Sequence, residues 1–248
     1  MVRRTSKASP RSAQERESLE KKIVQEYFGF QRGGVVVEVG ANEPLGDTSQ
    51  SWHLERDLDW AAVLVEPNPS LAARARAVRP AAQTFECACT ASETNVSLFI
   101  PVSRYGTEIH AHAAIGRNID GHNHREFREI PVRGRSLNSI LEEANVESID
   151  MLSIDVEGAE LEVLLGFDID RYKPRLVLFE DKHHHLRKHR WLVQHGYVLC
   201  KRTNLNCWYI PRTAKRPPFS MAERLRLFKR LYVSIWWRKL RHSLRATA

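Results

Sequence analysis

The sequence predicts an α/β fold in which helices cover both faces of a mostly parallel sheet, and three observations support this prediction. Strand-like and helix-like runs alternate along the 248 residues. The strand-like runs are almost continuously apolar, which is typical of strands that are buried on both faces. Four of these runs end in carboxylates, and the carboxyl ends of parallel strands share one edge of a sheet. We therefore expect these acids to meet at one rim.

The first hundred residues contain two of the predicted helices. The helix in "DTSQSWHLERDL" is expected to take Asp47, Thr48 or Ser49 as its N-cap. The helix in "NPSLAARARAV" has Asn68 as its cap and Pro69 at the first helical position, where proline is favoured. The predicted strands of this region are "VVVEV", "WAAVLVEP", "TFECACT" and "NVSLFIP".

The second part of the chain begins with a Gly/His-rich loop, residues 103–126, that shows no clear periodicity. Beyond the loop, strand-like and helix-like runs alternate again. The predicted helices lie in "RSLNSILEEAN", "AELEVLLGF" and "HHLRKHRWLVQHG". The predicted strands lie in "REIPV", "SIDMLSIDVEG", "PRLVLFED", "YVLCKRT" and "NCWYIP". The last two are separated by a short turn and suit a closing antiparallel hairpin.

Composition places the chain among folded proteins, with 42% hydrophobic and 27% charged residues. No apolar run approaches the roughly 20 residues that cross a bilayer, and the N-terminus lacks the apolar stretch of a signal peptide. The four cysteines form no C-x-x-C pair, which predicts free thiols rather than a zinc site or a disulfide framework. We expect a cytoplasmic protein.

The charge is divided unevenly along the chain. Residues 181–248 hold 17 Lys and Arg against 2 Asp and Glu, whereas residues 1–180 hold 21 against 28. The net charge of +8 therefore combines an acidic body with a strongly basic C-terminal third. Such asymmetry suggests an anionic partner, which could be a membrane surface, a nucleic acid or an anionic substrate. A solvated basic tail is the alternative.

The acids at the strand ends also indicate the kind of cofactor. Glu66 ends the second strand, where a carboxylate can accept hydrogen bonds from both ribose hydroxyls of a nucleoside. The loop after the first strand lacks the close glycine pair of G-x-G-x-x-G, and Glu38 and Glu43 would repel a pyrophosphate. S-adenosyl-L-methionine (SAM) carries a sulfonium and an ammonium but no phosphate, so it fits an acidic rim better.

Several motifs together resemble the FkbM family of SAM-dependent methyltransferases. They are "VEVGAN", "LVEPNP" and "SIDVEGAELEVLLGF" after "RSLNSIL", and the resemblance covers roughly residues 30–210. It implies a class I methyltransferase (Rossmann-like) fold with a seven-stranded, mostly parallel sheet and a C-terminal antiparallel hairpin. We therefore divide the chain into an N-terminal arm and helix, a methyltransferase domain and a basic amphipathic helix, at residues 1–25, 26–212 and 213–248.

The same resemblance implies which residues hold the cofactor. The methionine end would lie against Glu38, Gly40, Ala41 and Asn42. The ribose would lie against Glu66, with Pro67 and Asn68 beside it, and the adenine against Cys87 and Ala88. The reacting centre would face Asp155, Glu157 and Gly158. This chain departs from its relatives in one respect, because Glu43-Pro44 follows the asparagine where a glycine is usual.

Methyl transfer to an alcohol needs a group that takes the hydroxyl proton. Asp155 is the first candidate for base or hydroxyl clamp, and Glu157 and Glu180 are supporting candidates. Histidines titrate in a useful range, and we expect substrate contacts from His110, His112 and His183. Exposed polar loop residues are the alternative for these histidines. The spacing also allows a divalent metal site formed by Asp155, Glu180 and a histidine, but does not establish one.

The C-terminal segment 219–248 has helical periodicity. One face carries Met221, Leu225, Phe228, Leu231, Tyr232, Ile235, Trp236 and Leu240, and the other carries Arg226, Arg230, Arg238, Arg241 and Arg245. A basic amphipathic helix with tryptophans predicts an interfacial helix on an anionic membrane, here at the inner face. Packing of this stripe on its own domain, or on a second subunit, is the alternative.

These observations favour a SAM-dependent O-methyltransferase that acts on a sugar, a glycan or another small hydroxylated metabolite. The basic third prompts an RNA methyltransferase as an alternative, but aromatic residues are not spread over a basic groove, and the adjacent Trp236 and Trp237 lie in the terminal segment. A non-catalytic scaffold that keeps the fold is the third alternative. The acceptor and the oligomeric state are not encoded in any motif.

Overall fold

The computed structural model describes residues 12–46, 48–115, 126–180, 186–203, 206–217 and 221–234. The eight α-helices of these ranges are α1 Ala13–Tyr27, α2 Trp52–Leu58, α3 Pro69–Val78, α4 Leu137–Glu143, α5 Glu160–Leu165, α6 Ile169–Tyr172, α7 Arg187–Gln194 and α8 Met221–Phe228. The strands are β1 Val35–Val39, β2 Ala61–Val65, β3 Gln83–Phe85, β4 Ala88–Cys89, β5 Thr94–Val102, β6 Ala114–Ile115, β7 Glu126–Arg135, β8 Met151–Ile154, β9 Leu176–Glu180, β10 Tyr197–Thr203 and β11 Asn206–Pro211.

A seven-stranded sheet forms the centre of the fold, in the order β10-β11-β9-β8-β1-β2-β3. The strands from β9 to β3 are parallel to one another. The strand β11 runs antiparallel to both of its neighbours, β9 and β10, so the hairpin closes one edge of the sheet. The chain reverses direction in strand order between β1 and β8, and ligands of doubly wound sheets bind at such a point. The fold class predicted from the sequence is confirmed.

Two hydrophobic clusters cover the two faces of this sheet, because successive side chains of a strand point to opposite sides. Val37 and Val39 of β1 belong to one cluster, whereas Val36 belongs to the other. Buried residues of α4, α5 and α7 pack in the first cluster, and buried residues of α1, α2 and α3 pack in the second. The near-continuous apolar strands of the sequence follow from this burial on both faces.

A second sheet of four strands, in the order β4-β7-β5-β6, was not expected from the sequence. Its main pairing joins β5 and β7 in an antiparallel register from Thr94–Gly134 to Val102–Glu126. The strands on either side of the histidine-rich loop therefore pair with each other. This sheet places β6 and the loop before it over the carboxyl end of the central sheet, where Ile115 and Ala114 line the cavity described below.

Two local features concern the start of α2 and the environment of Glu160. The helix α2 starts at Trp52 after Ser51, which makes no side-chain cap bond. The hydroxyl of Ser49, one of the predicted caps, accepts the backbone N–H of Trp52 at 3.1 Å and also donates to Glu38. Glu160, the first residue of α5, is 4% exposed and pairs with Lys188 at 2.9 Å. The four cysteines are free and buried, as predicted.

The last described helix, α8, continues into a π-helical turn at Lys229–Val233. Within the ranges that the structure describes, no helix combines the length and the apolar character that crossing a bilayer requires.

Candidate functional site

A cavity of about 290 Å³ lies beyond the carboxyl ends of the central strands. It is close to the lower end of the range for small-molecule sites, roughly 300–1,000 Å³. Every strand from β9 to β2 ends with a residue or a following loop that lines it. Among the described lining residues all of the charged side chains are acids, namely Glu17, Glu20, Glu38, Glu66, Asp155, Glu157 and Glu180. The cavity therefore presents a negative field to a ligand.

The carboxylate of Glu38 shapes the loop between β1 and α2. One of its oxygens accepts the backbone N–H of Gln50 at 2.6 Å. The other accepts hydrogen bonds from the Ser49 hydroxyl, at 2.9 Å, and from the backbone N–H and hydroxyl of Ser51. Glu38 lines the cavity and is 4% exposed. Its acceptor capacity is thus largely used to hold this loop against the end of β1.

A buried arginine that the sequence reading did not single out supports the same loop. The side chain of Arg79, which follows α3, is completely buried. Its guanidinium donates to the Glu55 carboxylate at 2.9 Å, to the Ser51 hydroxyl at 2.9 Å and to the carbonyl oxygen of Pro44 at 3.3 Å. It also lies 3.9 Å from Glu38. Arg79 compensates the buried acids and fixes the loop that contains Pro44, and no sequence motif marks it.

Glu66 follows β2 and is 5% exposed. Its two oxygens accept the backbone N–H groups of Asn42 at 2.7 Å and of Asn68 at 2.8 Å. Burial raises its pKa to about 6, against the lowering effect of these two hydrogen bonds, and the nearby Glu38 raises it further. Each oxygen keeps a lone pair, so Glu66 can still accept two hydroxyl groups. Asn42 holds a left-handed backbone, φ 46°, which asparagine tolerates better than most residues.

The backbones after β1 and β8 cross closely at Gly40. Its φ is +84°, and a Cβ atom built on it would lie 1.9 Å from the carbonyl oxygen of Asp155. The N–H groups of Gly40 and Ala41 both donate to the carbonyl of Val65. The close approach that requires glycine here is therefore to the protein's own backbone. This crossing positions Asp155 beside the loop of Asn42.

Asp155, Glu157 and Glu180 form a group of carboxylates at one end of the cavity. Each offers one oxygen, and these oxygens lie within 4.8 Å of one another, close enough to hold a cation together. Although Asp155 is open to the cavity, desolvation within this cleft raises its pKa to about 8, and the negative charges of Glu180, Glu157, Glu160 and Glu38 raise it further. A carboxylate of this kind can accept a proton near neutral pH.

The shifted pKa of Asp155 has a consequence for the ligand-free protein. Because this pKa rises from 3.8 to about 8 on folding, its contribution to stability is present below about pH 4 and is lost as the pH rises towards 8. We expect thermal stability to fall over this window, and to fall less in Asp155→Asn, since asparagine does not ionise. Calorimetric unfolding of both proteins between about pH 5 and 8.5 tests this. Parallel curves would contradict it.

The opposite end of the cavity is apolar. Cys87, Ala88 and Cys89 are buried and line it, together with Leu98 and Ile115. Burial raises the pKa of Cys87 to about 11, so this thiol stays neutral and acts as a small apolar group. The end near Glu66 thus suits a flat, uncharged ring, whereas the end near Asp155 suits a cation.

The histidines separate into two groups. His110 lines the cavity, with its Nδ1 at 3.0 Å from the Asn68 side-chain nitrogen and its Nε2 at 3.7 Å from Glu108. His112 lies in the same short turn but is not among the described residues that line the cavity. The third predicted histidine, His183, lies outside the described residues.

Helix α1 also contributes to the site, through Glu17 and Glu20, which line the cavity. The Glu20 carboxylate accepts hydrogen bonds from the Thr203 hydroxyl, the Asn206 amide and the Trp208 indole. Burial raises the pKa of Glu20, and these three bonds oppose that shift. The boundary at residue 26 falls inside this helix. The spacing of Val24 and Phe28, one turn apart and both buried, was the available signal that this helix packs on the core.

Comparison with known proteins adds a family and a set of similar folds. The family model described as Methyltransferase FkbM domain matches residues 38–199. No curated protein matches the chain.

Three solved structures are similar to the chain at low identity. A precorrin-6y C5,15-methyltransferase from Geobacter metallireducens GS-15 has 12% identity and a TM-score of 0.42, over 83% of this chain and 91% of that one. A SAM-dependent methyltransferase from Aquifex aeolicus has 9% identity and a TM-score of 0.41, over 80% and 92%. A TehB-like SAM-dependent methyltransferase from Corynebacterium glutamicum has 9% identity and a TM-score of 0.40, over 77% and 86%.

Proposed function

The chain belongs to the FkbM methyltransferase family, whose members use SAM, and from this premise we propose an O-methyltransferase. The acceptor is a hydroxyl group of a sugar, a glycan or another small hydroxylated metabolite. The observation that carries the proposal is the cavity, in which all of the charged side chains described are acids. Such a field favours a ligand with a sulfonium and an ammonium, and it disfavours a polyphosphate.

The cavity residues fit SAM in the order in which the strands place them. The apolar end at Cys87 and Ala88 would hold the adenine ring, and Glu66 would accept the ribose hydroxyls. Asp155 and its neighbouring acids would surround the positive end. Bound there, SAM would supply an electrophilic methyl group. Gly40, Ala41, Asn42, Pro67 and Asn68 are retained as proposed cofactor contacts, and all except Asn68 line the cavity.

Asp155 is proposed to take the proton of the acceptor hydroxyl. The neighbouring acids keep its carboxylate basic, and its side chain opens to the cavity. Glu157 and Glu180 lie close enough to orient the same hydroxyl or a second one, and His110 borders the cavity nearer to Asn68. The same three carboxylates could instead hold a divalent cation that lowers the pKa of the hydroxyl. Activity after EDTA treatment, and after addition of Mg²⁺, distinguishes these two roles.

The proposal is tested by methyl transfer from radiolabelled SAM to a panel of sugars, nucleotide sugars, oligosaccharides and total RNA. We expect label on a sugar acceptor, with an O-methyl signal by NMR. Asp155→Asn should lose this transfer, whereas Asp170→Asn, which removes the same charge from an exposed position on α6, should keep it. Transfer of the labelled methyl group to RNA alone would contradict the proposal and support the RNA methyltransferase alternative. No transfer to any acceptor by a SAM-binding protein would favour the scaffold.

Glu66→Gln tests the proposed ribose contact separately from transfer. The variant removes the charge and places an amide N–H₂ where an acceptor is needed. We expect its affinity for S-adenosylhomocysteine to fall by about 10–100-fold, which corresponds to the loss of charged hydrogen bonds worth roughly 1.5–3 kcal/mol. Glu86→Gln, in the exposed ion pair with Arg76, is the matched control and should bind normally. Equal affinities in the two variants would exclude Glu66 from the cofactor site.

A further inference from the structure

We propose that α8 and the turn after it form a docking surface for an anionic lipid bilayer. This inference concerns where the protein binds, and it does not depend on the methyl-transfer reaction. It rests on an exposed apolar row, on the way the helix is seated on the domain, and on the charges that flank the row.

The apolar row consists of Met221, Leu225, Phe228 and Tyr232, and we name it the α8 row. Its members are spaced four, three and four residues apart, which places them on one side of a helix. Their exposed fractions are 68%, 65%, 58% and 51%, respectively, and the rings of Phe228 and Tyr232 lie 5.2 Å apart. Large apolar side chains that are exposed and contiguous indicate an interaction site.

The helix is seated on the domain through its other side, so the α8 row is not simply an unpacked core face. Leu231 is 5% exposed. Glu223 pairs with Lys201 of β10 at 3.5 Å. At the end of the row the Tyr232 hydroxyl reaches back to Nε2 of His189 at 3.4 Å, while about half of this residue stays exposed. The sequence had placed Leu231 on the same apolar face as the row. In the structure Leu231 turns towards the domain, and the row remains directed outwards.

The charges around the α8 row select the partner. Residues 206–234 contain seven Lys and Arg and a single acid, Glu223, which is paired with Lys201. Arg224, Arg226 and Lys229 are exposed on the helix itself. An apolar row bordered by cations complements an anionic bilayer, where acyl chains receive the row and headgroups face the cations. A second copy of this chain would bring another cationic surface to the contact, which like charges oppose.

The position of α8 relates this surface to the cavity. Lys201 lies two residues before the end of β10, and the adjoining strand begins at Asn206, which lines the cavity. The N-terminal part of α8 is therefore attached near the rim that holds Glu180, the register partner of Asn206. A bilayer bound to the α8 row would lie close to the cavity, which suits an acceptor that is carried on a lipid.

The test is co-sedimentation of the full chain with vesicles of phosphatidylcholine, with or without about 30 mol% phosphatidylglycerol. We expect binding to the anionic vesicles, weak binding to the neutral ones, and weaker binding at high salt. Leu225→Gln combined with Phe228→Gln should reduce the affinity at least about tenfold, because both side chains lose their burial in the acyl region. Arg226→Gln combined with Lys229→Gln should reduce it about tenfold as well.

Two control variants keep the result specific. Tyr105→Gln removes an exposed aromatic ring elsewhere, and Arg76→Gln with Arg171→Gln removes two exposed arginine charges from other helices. Both controls should bind like the wild type, and circular dichroism should show that all variants fold. Wild-type protein that stays in the supernatant with both kinds of vesicle would overturn the proposal. So would a concentration-dependent dimer that disappears in Leu225→Gln/Phe228→Gln without any vesicle binding.

Discussion

Replacing Asp155 with asparagine is expected to lower kcat by about 10²–10⁴-fold, the usual contribution of a general base. The substitution keeps the size of the side chain and removes its ability to take a proton. Because the carbonyl of Asp155, not its carboxylate, contacts Gly40, the backbone crossing should survive. The measurement is single-turnover transfer of labelled methyl, beside calorimetric binding of S-adenosylhomocysteine, whose affinity should change little.

The pH dependence gives this prediction a second readout. Since the Asp155 pKa is raised to about 8 in the ligand-free protein, wild-type kcat/KM should rise about tenfold per unit below pH 8 and level off above it. A sulfonium bound nearby stabilises the carboxylate, so the midpoint for kcat should lie at lower pH. Full activity of Asp155→Asn would exclude the base role. Parallel loss of affinity and turnover would mean that Asp155 holds the cofactor instead of taking the proton.

Replacing Gly40 with alanine is expected to destabilise the protein by at least about 3 kcal/mol, at the upper end of ordinary point mutations. Two effects combine in this variant. The positive φ of +84° disfavours any side chain, and the new Cβ would lie 1.9 Å from the carbonyl oxygen of Asp155. Thermal unfolding should shift down by about 6–12 °C for a chain of this length. The affinity for S-adenosylhomocysteine should fall as well, because the loop of Asn42 moves away from Asp155.

Gly46→Ala is the matched control for this prediction. Gly46 has the same φ, +84°, but nothing lies within 4 Å of a Cβ at this position. Its replacement should carry only the backbone cost, about 1–2 kcal/mol, and leave binding of S-adenosylhomocysteine intact. The difference between the two alanine variants isolates the steric contact. If both variants melt at the same temperature, the crossing at Gly40 is looser than the structure describes.

The fold was predictable because its strongest signals are local. Runs such as "VVVEV" and "MLSI" are mostly apolar because the sheet buries nearly all of their positions, and an acid lies at or directly after the carboxyl end of each, Glu38 in the first and Asp155 after the second. The second sheet was not predictable in this way. Its strands β5 and β7 are only partly buried, and they pair across the loop that interrupts the pattern. Because these strands are far apart in the sequence, no local pattern indicates that they pair.

The acidic residues of the candidate site were predictable from the sequence, but the residues that hold the surrounding segments in place were not. Strand ends place Glu38, Glu66 and Asp155 at one rim, and topology alone required this. The role of Arg79 could not be inferred, since it depends on the end of α3 meeting the β1–α2 loop in three dimensions. The part played by Glu20 likewise depends on α1 packing against the final hairpin.

The central claim, that this acidic cavity holds SAM, is tested most directly by calorimetric titration of the full chain with S-adenosylhomocysteine. We expect one molecule bound per chain, with a Kd on the order of micromolar. This affinity is high enough for the weaker binding of the Glu66→Gln variant to be measured. Absence of binding by protein that is folded at the same pH would contradict the account. The Glu43-Pro44 pair, which replaces the usual glycine after Asn42, would then explain a cofactor site that does not bind. The non-catalytic scaffold would become the better description of the protein.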